Sequence, residues 1–195
     1  MQNTMDIYYL VDRSKSMQPR KEQVLRGLNE FLDSQKSMAS RLSLYTFSDA
    51  LETLWEHESV DHLHPLTEDE YQPAGCTALL DAMGILLEEK IQWDTREKVV
   101  LVVLTDGDDN ISFRYTRYRI QQLVDQHRSQ LELVFVGSNQ EDILFDASES
   151  CLEYEDAHLD RAFHFTTNAI RRFQTQETPS VQFTPLEREQ TMEWK

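Results

Sequence analysis

The chain is 195 residues long and sets 19 Lys and Arg against 35 Asp and Glu, a formal net charge of −16. Such an acid excess is repelled at long range by nucleic acid and by anionic membrane surfaces, so neither is an expected partner. The two cysteines, Cys76 and Cys151, are too few for a disulfide framework, and no apolar run reaches the ~18 residues of a membrane span. The first apolar run starts almost at Met1 and reads as structure, not as a leader. The expected setting is therefore the reducing cytoplasm.

In chain order, "DIYYLVD" (residues 6–12) reads as a buried strand that ends on an aspartate. Val24, Leu25, Leu28, Phe31 and Leu32 then fall on one helical stripe. A weaker strand is expected over 41–49, and an edge strand or hairpin within the acid- and His-rich residues 50–65. Leu79, Leu80, Met83, Leu86 and Leu87 mark a second helix. "KVVLVVLTD" (98–106) is a continuous Val/Leu run, as a parallel strand covered on both faces requires. Ile120, Leu123, Val124 and His127 predict a third helix, and residues 131–138 a third strong strand. Ile143, Leu144 and Ala147 suggest a short helix, residues 162–165 ("AFHF") a weak strand, and Ala169, Ile170 and Phe173 a last helix.

Strand and helix alternate, which implies right-handed crossovers and a three-layer α/β/α fold: a mostly parallel open sheet with helices on both faces. Residues 1–175 are read as this domain. Residues 176–195 are polar and carry two prolines, so they are read as a tail that is extended or docked on a partner.

In an open sheet of this kind, ligands bind beyond the carboxyl ends of the strands, where the strand order reverses. Asp12 and Asp106 close two strong strands and project there. Ser14 and Ser16 are two apart in the loop after Asp12, so both hydroxyls can turn to one side. "AGCTALLDA" adds Thr77 at a helix start, with Gly75 permitting a tight backbone approach. Two carboxylates and three hydroxyls form a hard, oxygen-only set, suited to Mg²⁺, Mn²⁺ or Ca²⁺ and not to zinc or copper.

"DRSKS", "GCT" and "LTDGDDN" stand in the order of the three motifs of von Willebrand factor type A (vWA) domains, which the chain resembles over roughly residues 6–173. The resemblance implies a Rossmann-like vWA fold and a metal-ion-dependent adhesion site (MIDAS) holding one divalent cation, Mg²⁺ foremost, with Mn²⁺ or Ca²⁺ as alternatives. It implies that Ser14, Ser16 and Thr77 bind the ion directly or nearly so, and that Asp12 and Asp106 act directly or through water. A partner protein's Asp or Glu would complete the shell, which makes the expected function that of a metal-dependent binding adaptor.

Other readings are weaker. Phosphoryl transfer or hydrolysis would suit a divalent ion, but Asp12 has no second carboxylate two residues on. No phosphate loop or nucleophile elbow is present, so no enzyme is expected. A degenerate scaffold without metal is the remaining alternative. His57, His62 and His64 read as an exposed hairpin face and not as zinc ligands. Cys76 reads as a small buried filler, and Asp108 and Asp109 as a solvated turn. In "FRYTRYR", the arginines are expected mainly to pair with neighbouring carboxylates, while Arg114 and Arg117 could form a positive rim for an acidic partner.

Overall fold

The computed structural model describes residues 5–36, 38, 40–93, 97–107, 109–137 and 150–192. The strands are β1 (Asp6–Asp12), β2 (Arg41–Phe47), β3 (Leu51–Ser59), β4 (Val99–Thr105), β5 (Leu131–Gly137) and β6 (Cys151–Glu153). The α-helices are α1 (Lys21–Gln35), α2 (Leu79–Ile85), α3 (Arg117–Gln126), α4 (Leu159–Gln174) and α5 (Pro185–Gln190). They form one sheet in the order β3-β2-β1-β4-β5-β6. Only β3 is antiparallel, against β2; every other neighbouring pair is parallel. None of the described helices is long and apolar enough to cross a membrane.

Alternation along the central strands divides the interior in two. Ile7, Tyr9, Val11, Val100, Val102 and Leu104 pack with α1 and α4 on one face. Tyr8, Leu10, Val99, Leu101 and Val103 pack with α2 and α3 on the other. Every residue of β1 and β4 is buried, so the continuous Val/Leu run behaves as expected of a strand sandwiched between helix layers. The expected edge element of residues 50–65 is β3, whose exposed and half-exposed pattern carries Glu52, Glu56 and Glu58. A register irregularity breaks its pairing with β2, and charges and irregularity together blunt the open edge.

The weak strand expected at 162–165 is instead the first half of α4. Leu159, Ala162, Phe163, Thr166, Ala169, Ile170 and Phe173 are buried along it, a stripe of helical period. Four residues are too few to separate the two periods, and only the longer stripe decides. The sixth strand is β6, three residues long, whose Cys151 and Leu152 are buried. The helix expected around Ile143, Leu144 and Ala147 lies outside the described residues.

Residues 176–192 turn back onto the body. Val181 and Phe183 enter the α1/α4 core beside Phe173. Thr184 and Glu187 form a reciprocal capping box that starts α5. Glu187 also takes a two-oxygen ion pair from Arg172 of α4, at 2.8 and 2.9 Å. Phe183→Ala is therefore expected to cost about 3–5 kcal/mol in urea unfolding, as for a core aromatic. Gly27 of α1 faces the Phe163 ring of α4, and a Cβ there would clash with the ring carbons. Gly27→Ala should accordingly destabilise by about 1–3 kcal/mol in the same assay.

Candidate metal centre

Strand β1 lies between β2 and β4, so the chain winds outward in both directions from the β1/β4 pair. The carboxyl ends of these two strands therefore bound the crevice of the sheet. Asp12 ends β1 with 0% exposure. One carboxylate oxygen accepts the Ser14 N–H at 2.7 Å, and the other accepts the Thr105 hydroxyl at 2.7 Å. Its backbone carbonyl accepts the Tyr71 hydroxyl at 2.6 Å. The loop after it is pinned on both sides: Arg13 N–H donates to the Phe47 carbonyl at 2.8 Å, and its own carbonyl accepts Ala74 N–H at 2.8 Å.

The Ser14 and Ser16 hydroxyls lie 2.9 Å apart, and the Ser16 hydroxyl donates to Asp106 Oδ1 at 2.7 Å. A carboxylate can only accept, so Ser16 donates to Asp106, while the Ser14 hydroxyl is shared between the Ser16 oxygen and the Asp12 carboxylate. Each hydroxyl oxygen keeps lone-pair capacity for an electropositive ligand. The remaining oxygen of Asp106 accepts Arg20 Nη1 at 2.6 Å. Asp12, Ser14, Ser16 and Asp106 thus form one continuous cluster at the strand ends, reaching between loops 90 residues apart.

Thr77 approaches from the neighbouring loop and is 3% exposed. Gly75 accepts Lys15 N–H at 3.1 Å, which sets this loop against the serine loop. Gly75 has φ of 83°, and a Cβ there would lie 2.8 Å from the Asp49 carboxylate, so both backbone angle and space call for glycine. Asp49 in turn accepts Cys76 N–H at 2.8 Å. Thr77 N–H donates to the Asn110 side chain and its carbonyl accepts Asn110 N–H, both at 3.0 Å, tying the threonine to the loop after β4.

Some expectations need correction. Cys76 is exposed, not a buried filler, because Asp49 holds its backbone at the loop surface. Asp109 is not a solvated turn residue: it accepts Leu80 N–H at 2.8 Å and Ser112 N–H at 3.1 Å, supporting the start of α2. Asp108 lies outside the described residues. Arg114 pairs with Glu89 and lies over the Tyr115 ring at 5.1 Å, while Arg117 is the exposed first residue of α3. The histidines take separate surroundings: His57 lies 3.9 Å from Asp6, and His64 packs edge-on to Trp55.

Sequence reading missed the supporting residues Thr105, Tyr71, Asn110, Arg20 and Asp81. Asp81 accepts the successive backbone N–H groups of Phe113, Arg114 and Tyr115 at 2.8–3.1 Å, which fastens the loop beside the centre. Only the position of Asp81 inside "GCTALLDA", next to the threonine motif, hinted at such a role.

Burial pushes the Asp12 carboxyl up to about 6, against the pull of the hydrogen bonds from Thr105 and Ser14, and the nearby Asp106 charge adds to the rise. A carboxylate so placed, served only by neutral donors, gains from a cation. Among the described residues no three His, Cys, Asp or Glu gather as a metal cluster, so hydroxyls must supply part of any shell. Two carboxylates with Ser14, Ser16 and Thr77 are a donor set of the kind Mg²⁺, Mn²⁺ or Ca²⁺ takes, and the residues fit such an ion.

Residues 7–108 match the model of the von Willebrand factor type A domain. No curated protein matches the chain. Among solved structures, proximal thread matrix protein 1 from the mussel byssus, with a zinc-occupied MIDAS motif, superposes with a TM-score of 0.65 at 14% identity. That alignment covers 87% of this chain and 46% of the other. The pilus adhesin SpaC from Lactobacillus rhamnosus GG, in an open conformation, gives 0.67 at 13% identity over 88% of this chain and 30% of that one. The ArnB paralog VWA2 from Sulfolobus acidocaldarius gives 0.51 at 17% identity, covering 88% and 43%. The chain spans less than half the length of each, and at these identities the likeness is one of fold.

Because the folded-state pKa of Asp12 lies above that of a free carboxyl, the unfolded chain releases this proton first as pH rises. The Asp12 contribution to stability therefore falls between about pH 4 and pH 6 and is level above that window. In chelator at pH 7, Asp12→Asn should raise unfolding stability by about 1–3 kcal/mol and remove this pH dependence, while abolishing any stabilisation by added Mg²⁺.

Proposed function

Since the chain belongs to the von Willebrand factor type A domain family, whose members mediate protein–protein interactions and in some cases bind metal at a MIDAS, we propose that it is a divalent-metal-dependent protein-binding adaptor. The observation that carries this reading is the gathering of Asp12, Ser14, Ser16 and Asp106 into one hydrogen-bonded group at the crevice of the sheet. Asp12, Ser14, Ser16, Thr77 and Asp106 would hold the ion, Mg²⁺ by preference. When bound, the ion supplies positive charge and a coordination position that a partner's Asp or Glu fills.

The chain's own residues prepare that encounter. Tyr71, Thr105 and the pinned backbone of Arg13 keep Asp12 in place before any ligand arrives, so little ordering remains to be done on binding. Phe113 is 94% exposed on a loop whose backbone Asp81, Asp109 and Asn110 fasten, and would offer a partner an apolar contact beside the centre. Arg117 would add positive charge to the same rim.

Binding is favoured over catalysis because the Ser14 and Ser16 hydroxyls are engaged with each other and with the carboxylates of Asp12 and Asp106, and no histidine base is part of that group. The two free cysteines, one exposed and one buried, suit a reducing compartment, which supports an intracellular setting. In affinity capture from cells of the source organism, the immobilised chain should retain a partner in Mg²⁺ and lose it in chelator and in Asp106→Ala. Equal retention in all three conditions would contradict a metal-bridged partner.

A further inference from the structure

Arg20 ends the short 3-10 helix Lys15–Arg20 that follows the serine motif, and its side chain is 12% exposed. Its Nη1 donates to Asp106 Oδ2 at 2.6 Å and to the Ser16 carbonyl at 3.1 Å. Its other terminal nitrogen pairs with Asp156, which opens the short helix leading into α4. The guanidinium is therefore gripped from three directions and cannot swing away from Asp106 without also giving up the Ser16 carbonyl of its own helix and Asp156 on a separate segment. The Asp106 side chain is 2% exposed, so the pair is largely shielded from solvent screening.

We infer that Arg20 is a selectivity-determining residue, which holds one oxygen of Asp106 away from the centre and so favours a small octahedral ion over Ca²⁺. The inference rests on the metal-binding reading above and concerns which ion that centre takes. Ca²⁺ accepts 6–8 oxygens at about 2.3–2.6 Å and is commonly served by a carboxylate using both oxygens, whereas Mg²⁺ holds near-ideal octahedral geometry at about 2.0–2.1 Å with single-oxygen ligands. Asp106 is the carboxylate at the centre with a cation on one oxygen. A divalent ion approaching Oδ2 would meet a fixed positive charge within hydrogen-bonding distance of that atom, whereas Oδ1 accepts the neutral Ser16 hydroxyl. On Asp12 the Thr105 hydroxyl occupies the second oxygen in the same sense, but without charge. The wall on the Asp106 side is thus electrostatic, and it belongs to Arg20.

Calorimetric titration of the full chain with MgCl₂ and with CaCl₂ tests this, comparing wild type, Arg20→Gln and Arg20→Lys. Removing the charge should shift the Ca²⁺/Mg²⁺ affinity ratio about tenfold toward Ca²⁺, the scale of one charge-assisted hydrogen bond. Arg20→Lys keeps the charge and should keep the wild-type ratio. A merely structural Arg20 would weaken both ions alike, leaving the ratio of a folded Arg20→Gln within about twofold of wild type, and that result overturns the inference alone. If wild type binds neither ion, the metal-binding reading falls and this inference with it. Should Arg20→Gln lose cooperative unfolding, Asp156→Asn replaces it: loosening the far end of the guanidinium should move the ratio toward Ca²⁺, and an unmoved ratio overturns the inference.

Discussion

The structure is organised around a buried carboxylate. Asp12 ends β1, one of the two central strands of the sheet, has no exposed surface, and receives its hydrogen bonds only from neutral amide and hydroxyl groups. Burying an anion with only neutral donors is costly, and the upward displacement of its pKa is the same cost seen from the proton's side. Folds tolerate such strain where it serves a function. The surroundings hold this carboxylate rigidly instead of relieving it: Tyr71 fastens its carbonyl, the flanking loop is tied to β2 and to Ala74, and Ser14 turns back onto it.

The acidity of the chain bears on how such a centre could choose a partner. With a net charge of −16, an acidic ligand is repelled at a distance and gains only at short range. Any attraction must then come from the crevice and its rim. Of the two arginines expected at the rim, Arg114 is already engaged by Glu89, and Arg119 of the same segment pairs with Glu88. Positive charge near the crevice is rationed, and the best-fixed portion of it, Arg20, is directed at the chain's own Asp106. Through Asp156 the same side chain touches the approach to α4, whose far end carries the Arg172 pair with α5. The crevice, the last long helix and the docked C-terminal residues are therefore in physical contact.

Much of this was legible in the sequence, for reasons that differ by element. The runs at 6–12 and 98–106 are long and unbroken, and only a strand covered on both faces is served by such a run. The stripe of α1, and that running through α2 into the π-helical turn Leu86–Lys90, are long enough to define a helical period. Period failed where segments were short: "AFHF" belongs to α4, and β6 has only three residues. In the site, the residues that carry oxygen at motif spacing could be named. Those that position them could not, because Tyr71, Asn110 and Arg20 reach the centre from unrelated points in the chain through single hydrogen bonds. Cys76 was misjudged because burial was inferred from residue type, whereas the aspartate at position 49 holds that loop at the surface.

The central claim is that oxygen atoms from three separate loops converge on one divalent ion. Anomalous diffraction from crystals of the chain grown in Mn²⁺, a spectroscopic stand-in for Mg²⁺, tests it most directly. The account predicts one strong peak at bonding distance, about 2.0–2.4 Å, from the Ser14 and Ser16 hydroxyl oxygens, with Thr77, Asp12 and Asp106 bound to it directly or through water. Crystals that show no peak there, or a peak held by other residues while Ser16 still donates to Asp106, would contradict it.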